Sequence, residues 1–169
     1  MTWIWYTASP LGEILLASAD GLNLSGAWFS GQRYFAAGME GERKMAKLPL
    51  FEAAEDWLLR YFRGEDPGTF QNLEPEGTPF QRKVWSAMAQ IPYGATCSYG
   101  ELTEAVASGE EGKRSSPRAV GSAVGRNPIS VFLPCHRVLA SDGSLRGYAG
   151  GLWRKAALLA MEQGIPFSD

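Results

Sequence analysis

The sequence predicts an α+β fold in which strands come first and helices follow. Three observations predict it. The first 30 residues alternate short β-branched and aromatic runs with turn signals. A stretch rich in Gly and Pro, residues 64–77, then interrupts the pattern. Beyond it, apolar residues recur at helical spacing. A length of 169 residues with 45% hydrophobic and 20% charged side chains suits one ordinary domain, or two small ones sharing a core. The boundary read from the linker divides an N-terminal α/β unit, 1–77, from a C-terminal unit, 78–169.

Trp3 to Thr7 is aromatic and β-branched and reads as a strand. Ser9-Pro10-Leu11-Gly12 is a turn, and Ile14 to Ala17 a second strand. Asp20-Gly21 signals a hairpin into a third strand from Leu22 to Phe29. Residues 37–47, rich in Gly, Lys and Glu, are expected to form a loop. Phe51, Ala54, Leu58 and Phe62 mark a helix that Gly64 closes. After the linker, Thr78-Pro79-Phe80-Gln81 is a capping box with Pro at the first helical position. Phe80, Val84, Trp85 and Met88 form the stripe of that helix, and Pro92-Tyr93-Gly94 ends the segment. Ser98-Tyr99-Gly100-Glu101 is a second capping box and opens a helix to about Ala107. Ser116-Pro117 starts a short helix, Arg118 to Gly125. An extended run from Ile129 to Leu133, a turn at Asp142-Gly143 and a final helix from Leu152 to Gln163, closed by Gly164, complete the chain.

Composition excludes several classes. The longest uncharged run, Val84 to Gly100, is 17 residues and holds Pro, Gln and hydroxyl residues, so no membrane span is expected. The N-terminus shows no basic segment ahead of an apolar one, and a cytoplasmic protein is the expectation. Two Cys, 38 positions apart, and one His are too few for a structural zinc or a disulfide scaffold. The net charge of −2 divides unevenly: residues 1–77 carry −5 and residues 78–169 carry +3. A weakly basic half is compatible with nucleic acid without requiring it.

The helices around 99–107 and 117–125 read as a helix-turn-helix, a pairing also common in proteins that never touch DNA. After Arg118 the second of them holds only Ala, Val, Gly and Ser up to Gly125. It lacks the side chains that read base edges in a major groove. It suits close approach to a minor groove with one inserted Arg, or equally close packing within a core. The chemistry concentrates in Pro134-Cys135-His136-Arg137-Val138, where the lone His adjoins one of the two Cys. A thiolate nucleophile needs a base or a positive field. Adjacent side chains diverge, so His136 is expected to reach Cys135 through a water, with Glu162, an acid in an apolar context, behind it. The same residues could also be a buried Cys beside a core His, without chemistry.

Read together, these motifs resemble the O6-alkylguanine-DNA alkyltransferase family. The resemblance rests on Thr78 to Trp85, Pro92-Tyr93-Gly94, Ser98-Tyr99-Gly100, Arg118 to Gly121, Asn127-Pro128-Ile129, Pro134 to Val138, and Gly147 to Gly151 with Lys155 and Glu162 following. It is nearly continuous over 78–164. In 1–77 it rests on Ser9-Pro10-Leu11-Gly12 and the helix ending at Phe62-Arg63-Gly64.

The resemblance implies a ribonuclease H-like antiparallel sheet with a helix, followed by a helical, winged-helix-like domain. It implies a monomer that repairs double-stranded DNA containing O6-alkylguanine, once per molecule, with no cofactor or metal. The helix with Arg118, Ala119, Ser122 and Ala123 would lie in the minor groove. Arg118 would fill the gap of the flipped base, and Tyr99 would press on its phosphate. Cys135 would accept the alkyl group, with His136 as base, Glu162 orienting it and Tyr99 donating to the leaving guanine. Cys135, Val138 and Ala149 would hold the base edge through their backbone, Tyr148 would line the pocket, and Asn127 would secure the turn before it.

Three features depart from the family. The connection 109–116, rich in Gly, Ser and charge, is long, and its Lys113 and Arg114 are candidate phosphate contacts beside the helix. Arg126 stands where a small residue is expected, and position 149 is Ala rather than Ser. Two other classes compete with this reading. A lesion sensor would lack the reactive Cys, which this chain retains. A thiol hydrolase or redox sensor would show turnover and no dependence on DNA.

Overall fold

The computed structural model describes residues 1–107 and 116–167. Strands β1 (Thr2–Thr7), β2 (Ile14–Ser18), β3 (Gly26–Phe29) and β4 (Arg43–Met45) form one sheet in the order β3-β2-β1-β4. β1–β2 and β2–β3 are antiparallel, with Trp3 opposite Ser18 and Ile14 opposite Phe29. The expected wholly antiparallel sheet is corrected by β4, which pairs parallel to β1 with Thr2 opposite Arg43. The segment read as a loop, 37–47, thus contains an edge strand. Its three residues are all exposed and two of them are cationic, so the apolar alternation that marks a strand is absent.

The third strand is also shorter than expected. Asp20 accepts the backbone N–H groups of Leu22 and Asn23 at 2.8 Å, which holds that stretch in a turn. Asn23 Nδ2 and those two amides together hold the Asp20 carboxyl down at about 2.

Helix α1 (Pro49–Phe62) is closed by Gly64 at φ 87°, whose N–H reaches the Tyr61 carbonyl while Glu65 reaches Arg60. Helix α2 (Pro79–Met88) has the expected capping box: Gln81 N–H donates to Thr78 Oγ1 at 3.1 Å, and Gln81 Oε1 accepts from Thr78 N–H at 3.0 Å. Strand β5 (Cys97–Ser98) leads into α3 (Tyr99–Ala107), where Ser98 and Glu101 cap each other in the same way. Helix α4 (Pro117–Gly125) starts at Ser116, whose Oγ accepts the N–H of Ala119. A 3-10 turn (Cys135–Arg137) leads into β6 (Val138–Leu139), which pairs parallel with β5, and α5 (Leu152–Glu162) follows.

The core runs through both halves of the sequence. One buried cluster takes in Leu16 and Phe29 of the sheet, Phe51 and Tyr61 of α1, Trp85 of α2, Val120 of α4, Val138, and Met161 of α5. The other face of the sheet buries Ile4, Leu15, Ala17 and Trp28. Ile129 bridges to β3 in parallel: the Ala27 N–H donates to the Pro128 carbonyl and the Ala27 carbonyl accepts the Ser130 N–H, each at 2.9 Å. The segment that leads to Cys135 is thereby bonded to the N-terminal sheet. Among the described residues no helix is long and apolar enough to cross a membrane.

Candidate active site

The segment from Asn127 to Val138 places the chemistry. Asn127 is buried and bonds across its own loop, donating from Nδ2 to the Leu133 carbonyl at 2.8 Å and accepting Ile129 N–H at 2.9 Å. Between those contacts Val131 sits at φ 72°, a left-handed conformation that costs a β-branched residue about 1–3 kcal/mol. The two Asn127 bonds offset that cost. The chain then turns at Pro134 and delivers Cys135, His136 and Arg137, all buried, in one 3-10 turn.

Adjacent side chains leave this turn in different directions, as the sequence suggested, and His136 meets Glu162 rather than the thiol. His136 Nε2 lies 2.7 Å from Glu162 Oε2. Its other nitrogen, Nδ1, is buried and has no protein partner. A carboxylate beside Nε2 fixes the proton there and leaves Nδ1 as a lone-pair acceptor. Glu162 is the hub of the site. Its Oε1 accepts from Arg137 Nε at 2.8 Å and Gly94 N–H at 3.1 Å, and its Oε2 accepts from Arg137 Nη2 at 3.1 Å and Tyr61 Oη at 2.5 Å. Arg137 Nη1 donates to the Ile91 carbonyl at 2.7 Å.

These environments set the proton inventory. Burial alone would raise the Glu162 carboxyl, but its bonds from His136, Arg137 and Tyr61 hold it at about 2, so it is ionised. Burial lowers the His136 pKa; Glu162 raises it, and Arg137 and Lys155 lower it again. The imidazole is therefore neutral near pH 7. Burial pushes the Cys135 thiol up, against the Asn127 side chain, the Lys155 charge and nearby amides. At rest the site holds a protonated thiol beside a neutral imidazole, and a base is needed to free the nucleophile.

Lys155 is fully buried on α5, with Nζ donating to the carbonyls of Val138 at 2.6 Å, Arg146 at 3.0 Å and Gly147 at 3.2 Å. Burial lowers its pKa to about 8, which leaves it a cation at neutral pH that favours a thiolate at Cys135. An open cleft of about 580 Å³ is lined by Tyr99, Gly121, Ser122, Tyr148, Ala149 and Leu152, together with Arg33 and Tyr34. Burial raises the pKa of both Tyr99 and Tyr148, and a charge at Cys135 would raise each of them further. Tyr99 donates to the Arg146 carbonyl at 3.0 Å, and Tyr148 Oη is buried without a protein partner. Gly150 is required beside it, because a Cβ there would come within 2.6 Å of the Tyr148 ring.

The expected site residues do not all gather at the cleft. Arg118, Ala119 and Ser122 share the exposed face of α4. Ala123 is corrected: it is buried, and its carbonyl accepts Trp85 Nε1–H at 2.8 Å, so its small size serves packing of α4 on α2. Cys135, Val138 and Asn127 are buried, and none of the three is among the cleft-lining residues. The Val138 carbonyl accepts from Lys155, and Asn127 bonds across its own loop. Lys113 and Arg114, and with them the long connection, lie outside the described residues. Arg126 ends α4 with its guanidinium 4.3 Å from the Tyr34 ring centre. That contact joins α4 to a loop whose Arg33 N–H bonds the Ala149 carbonyl at 2.9 Å.

Sequence reasoning missed Tyr61 and the role of Arg137. Tyr61 falls on the apolar face of α1, three positions after Leu58, where it reads as packing. Arg137 stands between buried residues of the motif, and a lone cation there signals a buried anion.

Comparison with known proteins gives a consistent result. A family model described as 6-O-methylguanine DNA methyltransferase, DNA binding domain, matches residues 79–164. The chain is 40% identical to a methylated-DNA–protein-cysteine methyltransferase of Haemophilus influenzae, over 100% of this chain and 91% of the relative. It is likewise 40% identical to one of Methanosarcina acetivorans, over 91% and 94%. Among solved structures it is similar to Mycobacterium tuberculosis OGT in complex with DNA, with a TM-score of 0.82 and 37% identity over 97% of this chain and 94% of that one.

Proposed function

The chain belongs to the methylated-DNA–protein-cysteine methyltransferase family, whose reaction is repair of DNA by alkyl transfer to a cysteine, and we propose that here Cys135 takes the alkyl group of an extruded O6-alkylguanine. The observation that carries this assignment is the buried Glu162–His136 pair, with Nδ1 left without a protein partner on the residue that follows Cys135.

The steps follow from that arrangement. The Cys135 proton passes through a bridging water to His136 Nδ1, while Glu162 stabilises the imidazolium. The thiolate attacks the alkyl carbon, a C–S bond forms and the C–O6 bond breaks. The guanine leaves as its anion and takes a proton at a ring nitrogen from Tyr99, whose hydroxyl stands on the cleft wall. A thioether remains that water does not readily cleave, so each molecule acts once. Residues 78–169 contribute the DNA-facing and reacting groups and residues 1–77 support them. The protein acts as a monomer in the cytoplasm, at the nucleoid of a prokaryote, or in the nucleus of a eukaryote. Incubation with a duplex carrying labelled O6-methylguanine tests the assignment: label appears on the protein, at no more than one group per chain. Label that stays on DNA, or repeated turnover, overturns it.

Extrusion of the base costs a few kcal/mol, and the exposed face of α4 suits that task. The small residues Ala119 and Ser122 let the helix approach the groove, and Arg118 supplies the wedge. Arg118→Ala is therefore expected to slow repair of duplex DNA by about 10-fold or more and to leave reaction with free O6-alkylguanine base near the parent rate. Parallel single-turnover rates on the two substrates check this, and an equal loss on both would assign Arg118 to the pocket. Replacing Lys113 and Arg114 with Ala should weaken binding to damaged and undamaged duplex alike. It should lower the salt slope by roughly one unit per lost phosphate contact. Titrations at several salt concentrations read the slope.

A further inference from the structure

Glu162 is reached from the N-terminal half by a side chain that lies 101 residues earlier in the sequence. Tyr61, near the end of α1, is fully buried. Its ring stacks on Trp57, with centres 5.3 Å apart and planes 6° from parallel, and meets the His136 ring edge-on at 6.4 Å. Its hydroxyl donates to Glu162 Oε2 at 2.5 Å, and the same oxygen lies 3.3 Å from His136 Nε2.

Packing does not call for that hydroxyl. A phenylalanine would fill the same aromatic stack, and Glu162 already accepts from Arg137, Gly94 and His136. The hydroxyl adds one more donor on the very carboxylate oxygen that His136 uses. Because the Tyr61 proton points at Glu162, only lone pairs of the phenol face Nε2. The imidazole must then carry its own hydrogen at Nε2, which leaves Nδ1 bare for the thiol proton.

We propose that Tyr61 is a positioning residue of the alkyl-transfer reaction, one that locks the His136 tautomer and moderates the pull of Glu162 on the imidazolium. This rests on His136 being the base for Cys135. A carboxylate with fewer donors attracts a proton on its neighbour more strongly. Without the hydroxyl, His136 would be protonated at higher pH and would be a poorer base in the neutral range. The other charged or titratable groups that act on His136 and Glu162 are Lys155 on α5, Arg137 in the 3-10 turn and Tyr93 after α2. Cys135 precedes His136, and Tyr148 acts on Tyr61 and Cys135. Tyr61→Phe leaves all of these in place.

His136 is the one histidine in the chain, so its ring nitrogens are directly assignable by nitrogen NMR of the full-length protein. In the parent, Nε2 should carry the hydrogen. In Tyr61→Phe the His136 titration midpoint should rise by roughly one pH unit. The acid limb of Cys135 alkylation by iodoacetamide, followed by peptide mass, should move with it. Trp57→Phe loosens the same stack without touching the hydroxyl, and it should lower stability while leaving both midpoints at parent values. A midpoint unmoved or lowered in Tyr61→Phe, or moved equally in Trp57→Phe, overturns the proposal. Alkyl uptake from O6-methylguanine DNA by the parent is measured alongside. Its absence would count against the function, and an unmoved midpoint against Tyr61.

Discussion

Cys135→Ala is expected to abolish alkyl uptake from DNA while leaving binding to undamaged duplex at the parent level. The Cys135 thiol adjoins the one histidine of the chain in sequence, whose Nδ1 has no protein partner among the described residues, and the Lys155 charge favours its thiolate. Cys97 cannot substitute. It is half-buried, its Sγ points to the Ser98 carbonyl at 3.4 Å, and burial and Glu101 both push its pKa up. Intact mass after reaction with methylated duplex should show one added methyl group on the parent and none on the variant. Alkyl uptake by Cys135→Ala would transfer the reaction to another residue and sink the assignment.

Glu162→Gln should be the next most damaging change, for two reasons that can be measured apart. The imidazolium loses its counter-charge, and single-turnover transfer should slow by about 100-fold, the lower end of what a positioned base contributes. The Arg137 guanidinium loses its buried anion as well, which should cost roughly 3 kcal/mol of stability at pH 7. The stability loss follows from the fork of Arg137 on Glu162, because the carboxylate neutralises a buried cation as well as meeting His136.

The pH dependence has a definite sign. The folded carboxyl titrates near 2 against an ordinary 4.5, so its stabilisation is complete above about pH 4.5 and is lost as pH falls toward 2. Urea unfolding should therefore separate parent and variant widely at pH 7 and far less near pH 3. A gap that stays constant with pH would show that Glu162 acts through packing alone.

Much of this was legible in the sequence because the informative signals are local. Capping boxes at Thr78 and Ser98 set helix starts within a residue, since a side chain three positions away satisfies the same backbone groups. The acid in an apolar stretch of α5 identified the partner that His136 meets. What the sequence hid depends on distant partners. β4 has no apolar alternation because it lies at an exposed edge, and only its pairing with β1 makes it a strand. Ala123 and Ser122 are equally small, and which of them faces outward depends on where α2 packs. Tyr61 looked like one more aromatic on an apolar face, and its hydroxyl acquires meaning only when α1 meets α5.

The bonding of Ala27 to Pro128 and Ser130, with a core that takes in residues from both sides of the linker, has a consequence for how the molecule comes apart. Severing the exposed connection near Gly64–Gly77 would not release two autonomous pieces. The fragments would remain associated through the extended sheet, and the C-terminal fragment alone would lack α1 and expose the surfaces that α1 covers. Loss of structure in the sheet would disconnect the segment that leads to Cys135. Repair competence is in this sense a property of the whole cooperative unit: a substitution that only loosens the N-terminal half would register as lost activity before it registered as lost affinity for DNA.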